Sequence, residues 1–218
     1  MFLTRFQINT TRRGARFLLA SQQRMHAAVL AGFPSGDDRG RTLWRVDQGS
    51  PRTDLFIVSP DRPDLTHLVE QAGWPTTATW GTADYQPLLD RLEQGQRWAF
   101  RLTANPVRSL PAGPGQRGQV KAHVSVAQQQ DWLMRRAERC GFTIPDGPHG
   151  GPQVVVKERR TARFQRSHAE RGREVTVVMA TYDGVLEVTD PAALRAVLTG
   201  GVGRAKAYGC GLLTLARV

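Results

Sequence analysis

Residues 200–218, GGVGRAKAYGCGLLTLARV, close the chain with five glycines, three cations (Arg204, Lys206 and Arg217) and an apolar run suited to a terminal strand. Glycine supplies positive φ and lets a ligand approach the main chain, and successive N–H groups in a turn form an anion-binding concavity. One reading is therefore a phosphate cradle built on Gly201, Gly203, Arg204, Lys206, Gly209 and Gly211. The other is a plain glycine-rich turn joining a helix to an edge strand. The stretch matches neither G-x-x-x-x-G-K-[ST] nor a G-x-G-x-x-G held between a strand and a helix. Only seven residues follow Gly211, too few for another helix and strand, which argues against a mononucleotide-binding βαβ fold.

Upstream, Asp190-Pro191 is an N-cap and first-turn signal for the helix that runs into the glycines. Before it lie strands near 153–158 and 174–180 and a helix over 126–140. At the other end of the chain, Phe2, Phe6 and Ile8 alternate with Arg5 and Gln7, a strand over 1–9. Residues 14–31 switch to helical period with Leu18, Met25 and Val29 as the buried stripe and His26 at its edge. Strands follow at 42–48 and 54–59, then a short helix around Leu65, Leu68 and Val69. Residues 73–95 carry no clear period. From Arg97, alternation returns with Trp98, Phe100 and Leu102 on one face. Residues 111–119, rich in Pro and Gly, read as a flexible connection. The order βαββαβ occurs twice, with the strand from 97 either closing the first unit or opening the second. This predicts an α+β protein of tandem ferredoxin-like (RAMP/RRM-like) domains, 1–95 and 96–218, ending in a glycine-rich loop.

Thirty Lys plus Arg against nineteen Asp plus Glu give a formal charge of +11, a field that attracts polyanions. Nearly all the cations are Arg, the better fork for phosphate oxygens. Cys140 and Cys210 stand far apart without C-x-x-C or histidine at ligand spacing, so neither a zinc finger nor a disulfide framework is expected. The run TTRRGARFLLA resembles a twin-arginine export signal, but Gln22, Gln23 and Arg24 interrupt its apolar region. No transmembrane run is present, and a soluble cytoplasmic protein with no membrane partner is expected.

The densest charge lies at 157–173, with Lys157, Arg159, Arg160, Arg163, Arg166, Arg171 and Arg173 against Glu158 and Glu170. It reads as a basic hairpin or mobile loop that contacts phosphate; a solvated surface loop is the plainer reading. No carboxylate cluster near the glycine stretch is suited to two magnesium ions, and no metal or other cofactor is expected. RNA carries its own nucleophile, the 2′-hydroxyl, and cleavage through it needs a proton donor, a proton acceptor and cations at the phosphorane. Of five histidines, His149 and His168 fall in loops, His67 in the short helix and His123 in a strand-like stretch. His26 differs because a helix edge would hold its imidazole partly buried, although a core-edge histidine without chemistry fits the same position.

GVGRAKAYGCGLL, the strand-turn FRLTANP of Phe100–Pro106, and a first-helix histidine followed by Gly32-Phe33-Pro34 together resemble the CasE family. Its members are the CRISPR repeat-RNA endoribonucleases of type I-E Cascade, and the resemblance covers nearly the whole chain. It implies tandem ferredoxin-like domains and a metal-independent cut at the 3′ base of the repeat hairpin. It also implies that the crRNA is retained with the other Cascade subunits. By position His26 matches the family's catalytic histidine, here given the leaving-group proton, with the base role as second choice. Some members carry a tyrosine one turn earlier, where this chain has Gln23, whose amide can orient the 2′-hydroxyl or the phosphate but not take its proton. Lys206 and Arg204 are the candidates for charge stabilisation. The segment Lys157–Arg166 lies where the family carries its stem-binding hairpin. A noncatalytic RNA-binding scaffold and a ribosome-associated RNA-binding protein are the competing expectations.

Overall fold

The computed structural model describes residues 1–34, 40–49, 52–110, 118–148, 150–165 and 174–218. Arg166, His149 and His168 lie outside them. The N-terminal sheet is made of β1 (Phe2–Ile8), β2 (Leu43–Gln48), β3 (Thr53–Ser59) and β4 (Trp80–Asp84), in the antiparallel order β2-β3-β1-β4. The expected helix over 14–31 is two helices, α1 (Arg13–Leu19) and α2 (Gln22–Leu30). Ser21 between them is extended, at φ −149° and ψ 124°, the state a residue takes just before a helix starts. Leu18, Met25 and Val29 keep helical phase across this break, which is why periodicity alone does not reveal it. With Phe6, Ile8, Leu55 and Ile57 they fill one core. The unassigned segment 73–95 supplies β4 and a short α4 (Gln86–Asp90) after α3 (Thr66–Ala72). Three of the five residues of β4 are exposed, so it never had an apolar alternation to show.

The C-terminal half repeats the plan. β5 (Arg97–Ala104) is followed by the hairpin β6 (Val107–Leu110) and β7 (Gln119–Ala122), whose connecting residues 111–117 lie outside the described set. Next come α5 (Val126–Ala137), β8 (Phe142–Thr143), β9 (Val154–Gln165), β10 (Glu174–Val188), α6 (Pro191–Gly200) and β11 (Leu213–Ala216). The sheet runs β11-β5-β10-β8, with β9 also on β10. In the first half β1 lies between β3 and β4, and in the second β5 lies between β10 and β11, the ferredoxin-like arrangement. Ser125 and Gln128 form a capping box at α5, and Asp190 accepts from the Ala192 and Ala193 N–H groups at α6.

The halves share a core. Leu43, Val58, Tyr85, Leu89 and Leu92 from the first pack into the cluster built on Phe100, Leu102, Trp132 and Tyr182 of the second. Between the two sheets lies Arg45, 2% exposed. Its guanidinium forks onto Asp47 (2.6 and 2.9 Å) and donates to the Arg101 and Leu212 carbonyls (2.9 Å each) and to Thr214 Oγ1 (2.9 Å). Among the described residues no helix is long and apolar enough to cross a membrane.

Candidate catalytic and nucleic-acid interface

α2 carries the histidine because its other face is anchored. Met25 and Val29 are buried, Gln22 nearly so, and His26, one position on from Met25, sits at the margin. Its Nδ1 is sealed from solvent and has no hydrogen-bond partner among the described residues. Burial holds its pKa below the ordinary 6.5, because the charged imidazolium loses hydration there. Gln23, on the adjoining face, lines a cleft of about 610 Å³ with Phe17, Arg24, Ala27, Arg163 and Phe164.

The glycine stretch packs directly on the first half. A Cβ at Gly201 would stand 2.8 Å from Leu43, and one at Gly209 would stand 2.8 Å from the Trp44 ring, so both glycines permit close inter-sheet contact. Two of the cradle's N–H groups are already used: Gly201 donates to the Val197 carbonyl (2.8 Å) and Gly211 to that of Thr103 (2.7 Å). Ala205 takes the left-handed region (φ 59°), turning the chain into a 3-10 turn over Lys206–Tyr208 that packs against α2 and β2. Lys206 is half-buried, and its pKa is lowered by burial and then by the nearby charge of Arg41. Tyr208 meets Phe164 of β9 with ring centroids 4.7 Å apart.

β9 pairs with β10 from Val154 to Gln165, with a bulge that leaves Lys157 out of register. Past the bulge, the pleat divides the arginines. Arg160, with buried Ala162 and Phe164, turns inward to a narrow cavity shared with Gln22, Met25, Trp44 and Tyr208. Arg159 and Arg163 are exposed on the other face, Arg159 donating to the Val124 carbonyl (3.0 Å). Lys157 pairs with Asp183 at 3.4 Å.

The structure thus brings together the His26 helix, the Lys206 turn and β9 with Arg160 and Arg163. It sends Gly203 and Arg204 to the opposite side, toward α5. Sequence reasoning missed Phe17, half exposed beside Gln23 with the Arg24 guanidinium 3.9 Å above its ring. Its signal was a large aromatic residue off the Leu18–Met25–Val29 stripe. Among the described residues, no group of three or more His, Cys, Asp or Glu is placed to hold a metal ion.

A family model described as CRISPR associated protein matches residues 1–217. The chain belongs to this family. Within it, the CRISPR-associated endoribonuclease Cse3 of Thermus thermophilus is 32% identical over 99% of this chain and 100% of its own length. The Cascade subunit CasE of Escherichia coli is 26% identical, covering 81% of this chain and 92% of its own. A solved structure of Cse3 bound to a 19-nucleotide RNA superposes with TM-score 0.81 at 31% identity, over 99% of this chain and 100% of that one. The tandem ferredoxin-like architecture of this CRISPR-associated protein is therefore the fold of its relatives.

Proposed function

We propose that the chain is a cytoplasmic, metal-independent endoribonuclease that binds the CRISPR repeat hairpin, cuts pre-crRNA at the 3′ base of the stem and stays with the crRNA in Cascade. Two domains meeting at residues 95/96 divide the work. The first holds the proton-transfer group and the second holds the RNA. The observation that carries the reading is the meeting of α2, the Lys206–Tyr208 turn and β9 in a chain related over its full length to an RNA-bound endoribonuclease.

In this reading the 2′-oxygen bonds to phosphorus, the P–O5′ bond breaks, and the 5′-oxygen takes its proton from the His26 imidazolium. The 2′-hydroxyl proton passes to solvent, and the products end in a 2′,3′-cyclic phosphate and a 5′-hydroxyl. Lys206 offsets charge on the phosphorane, and Gln23 orients the 2′-hydroxyl or a phosphate oxygen. Gly201, Gly209 and Gly211 fix the shape of the turn that carries Lys206, Arg160 adds charge from the cavity under α2, and Lys157, Arg159, Arg163 and Arg166 attract the stem.

A cleavage assay in EDTA with the cognate repeat and end-group determination tests this. The expected result is cleavage with cyclic-phosphate ends, abolished by replacing the scissile 2′-hydroxyl with hydrogen while binding persists. Cleavage of that 2′-deoxy substrate would overturn the mechanism. Unchanged processing by His26→Ala would remove His26 from the reaction, and binding without cleavage by the pure wild type would favour the noncatalytic scaffold that Gln23 in place of tyrosine suggests.

A further inference from the structure

Outside the α2 site, the described surface holds a second concentration of unbalanced charge. A cleft of about 430 Å³ opens between α5, the β6–β7 hairpin and the glycine stretch. Arg108, Arg135, Arg136 and Arg204 line it together with His123, and Asp131 is its single carboxylate among the described residues. Asp131 is engaged by Arg135 at 2.6 Å, so the site keeps a surplus of positive charge. Arg108, Arg135 and Arg136 line the same cleft as His123, whose pKa is lowered by burial and then by these three charges, with Asp131 opposing them.

The cleft is built rather than incidental. The His123 backbone is pinned on both sides, its N–H donating to the Pro106 carbonyl (2.9 Å) and its carbonyl accepting from the Gln129 amide (2.9 Å). Arg136 lies 4.1 Å over the Trp132 ring, and Gly203 lets the glycine stretch approach that ring, where a Cβ would stand 3.2 Å away. Two amide groups of the cleft are engaged, Asn105 Nδ2 donating to the Val178 carbonyl (2.6 Å) and Gln128 Oε1 serving the α5 capping box. The cleft offers mainly positive charge, the chemistry of backbone recognition.

We propose that this cleft binds the phosphodiester backbone of single-stranded RNA flanking the repeat stem, with the glycine stretch as the ridge between it and the scissile site. Arg204 faces the cleft, whereas the Lys206–Tyr208 turn packs on α2. Only Ala205 separates Arg204 from Lys206, at most about 7 Å between Cα atoms, so a strand lying across the turn meets both. The inference rests on the RNA-binding reading above and adds to it a second, sequence-independent grip that a trimmed hairpin would not engage.

The test compares two RNAs carrying a 2′-deoxy scissile nucleotide, the repeat hairpin with its natural flanks and the same hairpin trimmed to the stem, each titrated over a range of salt. Wild-type protein should bind the flanked RNA more tightly. Arg108→Gln combined with Arg135→Gln changes only exposed side chains. It should weaken binding of the flanked RNA by about tenfold or more, lower its logarithmic salt slope by about 0.7 per arginine, and leave the trimmed hairpin unaffected. Asp131→Asn should act in the opposite sense and tighten the flanked RNA alone. Equal weakening of both RNAs, no flank-dependent gain in the wild type, or a double variant that loses association with other proteins while keeping its RNA profile would each overturn the inference. Failure of the wild type to bind either RNA would overturn the proposed function and this inference together.

Discussion

His26 has a buried ring nitrogen without a partner, a position that costs stability whenever the ring is charged. Its folded pKa lies below the 6.5 of an ordinary histidine, so between those two values the unfolded chain binds more protons than the folded one. Stability therefore falls as pH drops from about 6.5 toward the folded pKa. Urea titrations at pH 7.5 and 5.5 should show the wild type losing more midpoint than His26→Gln, and equal losses would remove the burial argument. The same ring gives opposite kinetic signatures for its two roles. An acid must begin protonated, so single-turnover cleavage should slow as pH rises through the His26 pKa in the complex. Phosphate beside the imidazole moves that midpoint upward without changing the direction of the limb. Cleavage that instead rises to a plateau would make His26 the base.

At the scale of elements, β9 shows how a strand changes the meaning of a basic run. Read as sequence, Arg159, Arg160 and Arg163 are equivalent cations. The pleat exposes Arg159 and Arg163 while turning Arg160 toward the cavity under α2. Arg159→Ala and Arg163→Ala should each make the salt dependence of hairpin binding shallower by about one phosphate contact. Arg160→Ala should move that slope less and the cleavage rate more, and equal slopes for all three would dissolve the distinction. The element order was legible because alternation in β1 and β5, the Asp190-Pro191 cap and the glycine punctuation are local signals. The α1–α2 break and β4 were not, since one preserves helical phase and the other is a mostly exposed edge. Of the candidate site, the α2 histidine and the basic hairpin were legible from position and charge. The cleft of Arg108, His123, Arg136 and Arg204 was not, because residues so scattered along the chain become neighbours only when β6, α5 and the glycine stretch fold together.

For the whole molecule, the relation between His26 in the first half and the glycine stretch in the second depends on how firmly the two sheets are joined. Apolar contact supplies most of the joint, through Leu43, Val58, Tyr85, Leu89 and Leu92 in the second core. Arg45 fixes its geometry. In sequence it is an ordinary polar position between Trp44 and Val46, yet it is enclosed, and its fork binds Asp47 while reaching carbonyls on β5 and just before β11. Asp47 in turn reaches Arg101 at 3.4 Å, and Arg101 forks onto Asp183 at 2.6 Å, so the charge chain runs from β2 across β5 to β10. Arg45→Met would leave the Arg101 and Leu212 carbonyls without this donor and Asp47 held only by the longer contact, a loss of about 3–5 kcal/mol. Lysine cannot restore it, because one ammonium does not reproduce the planar fork. Urea unfolding of the wild type should show a single transition, since the shared core couples the halves, and Arg45→Met should lower its midpoint or split it in two. Adding Asp47→Leu to that variant removes the stranded carboxylate and should recover part of the loss. Recovery without return of the cleavage rate would show that Arg45 serves the registration of His26 against the glycine stretch as well as stability, whereas an Arg45→Met protein with wild-type midpoint and rate would show that the apolar joint alone sets the angle between the sheets.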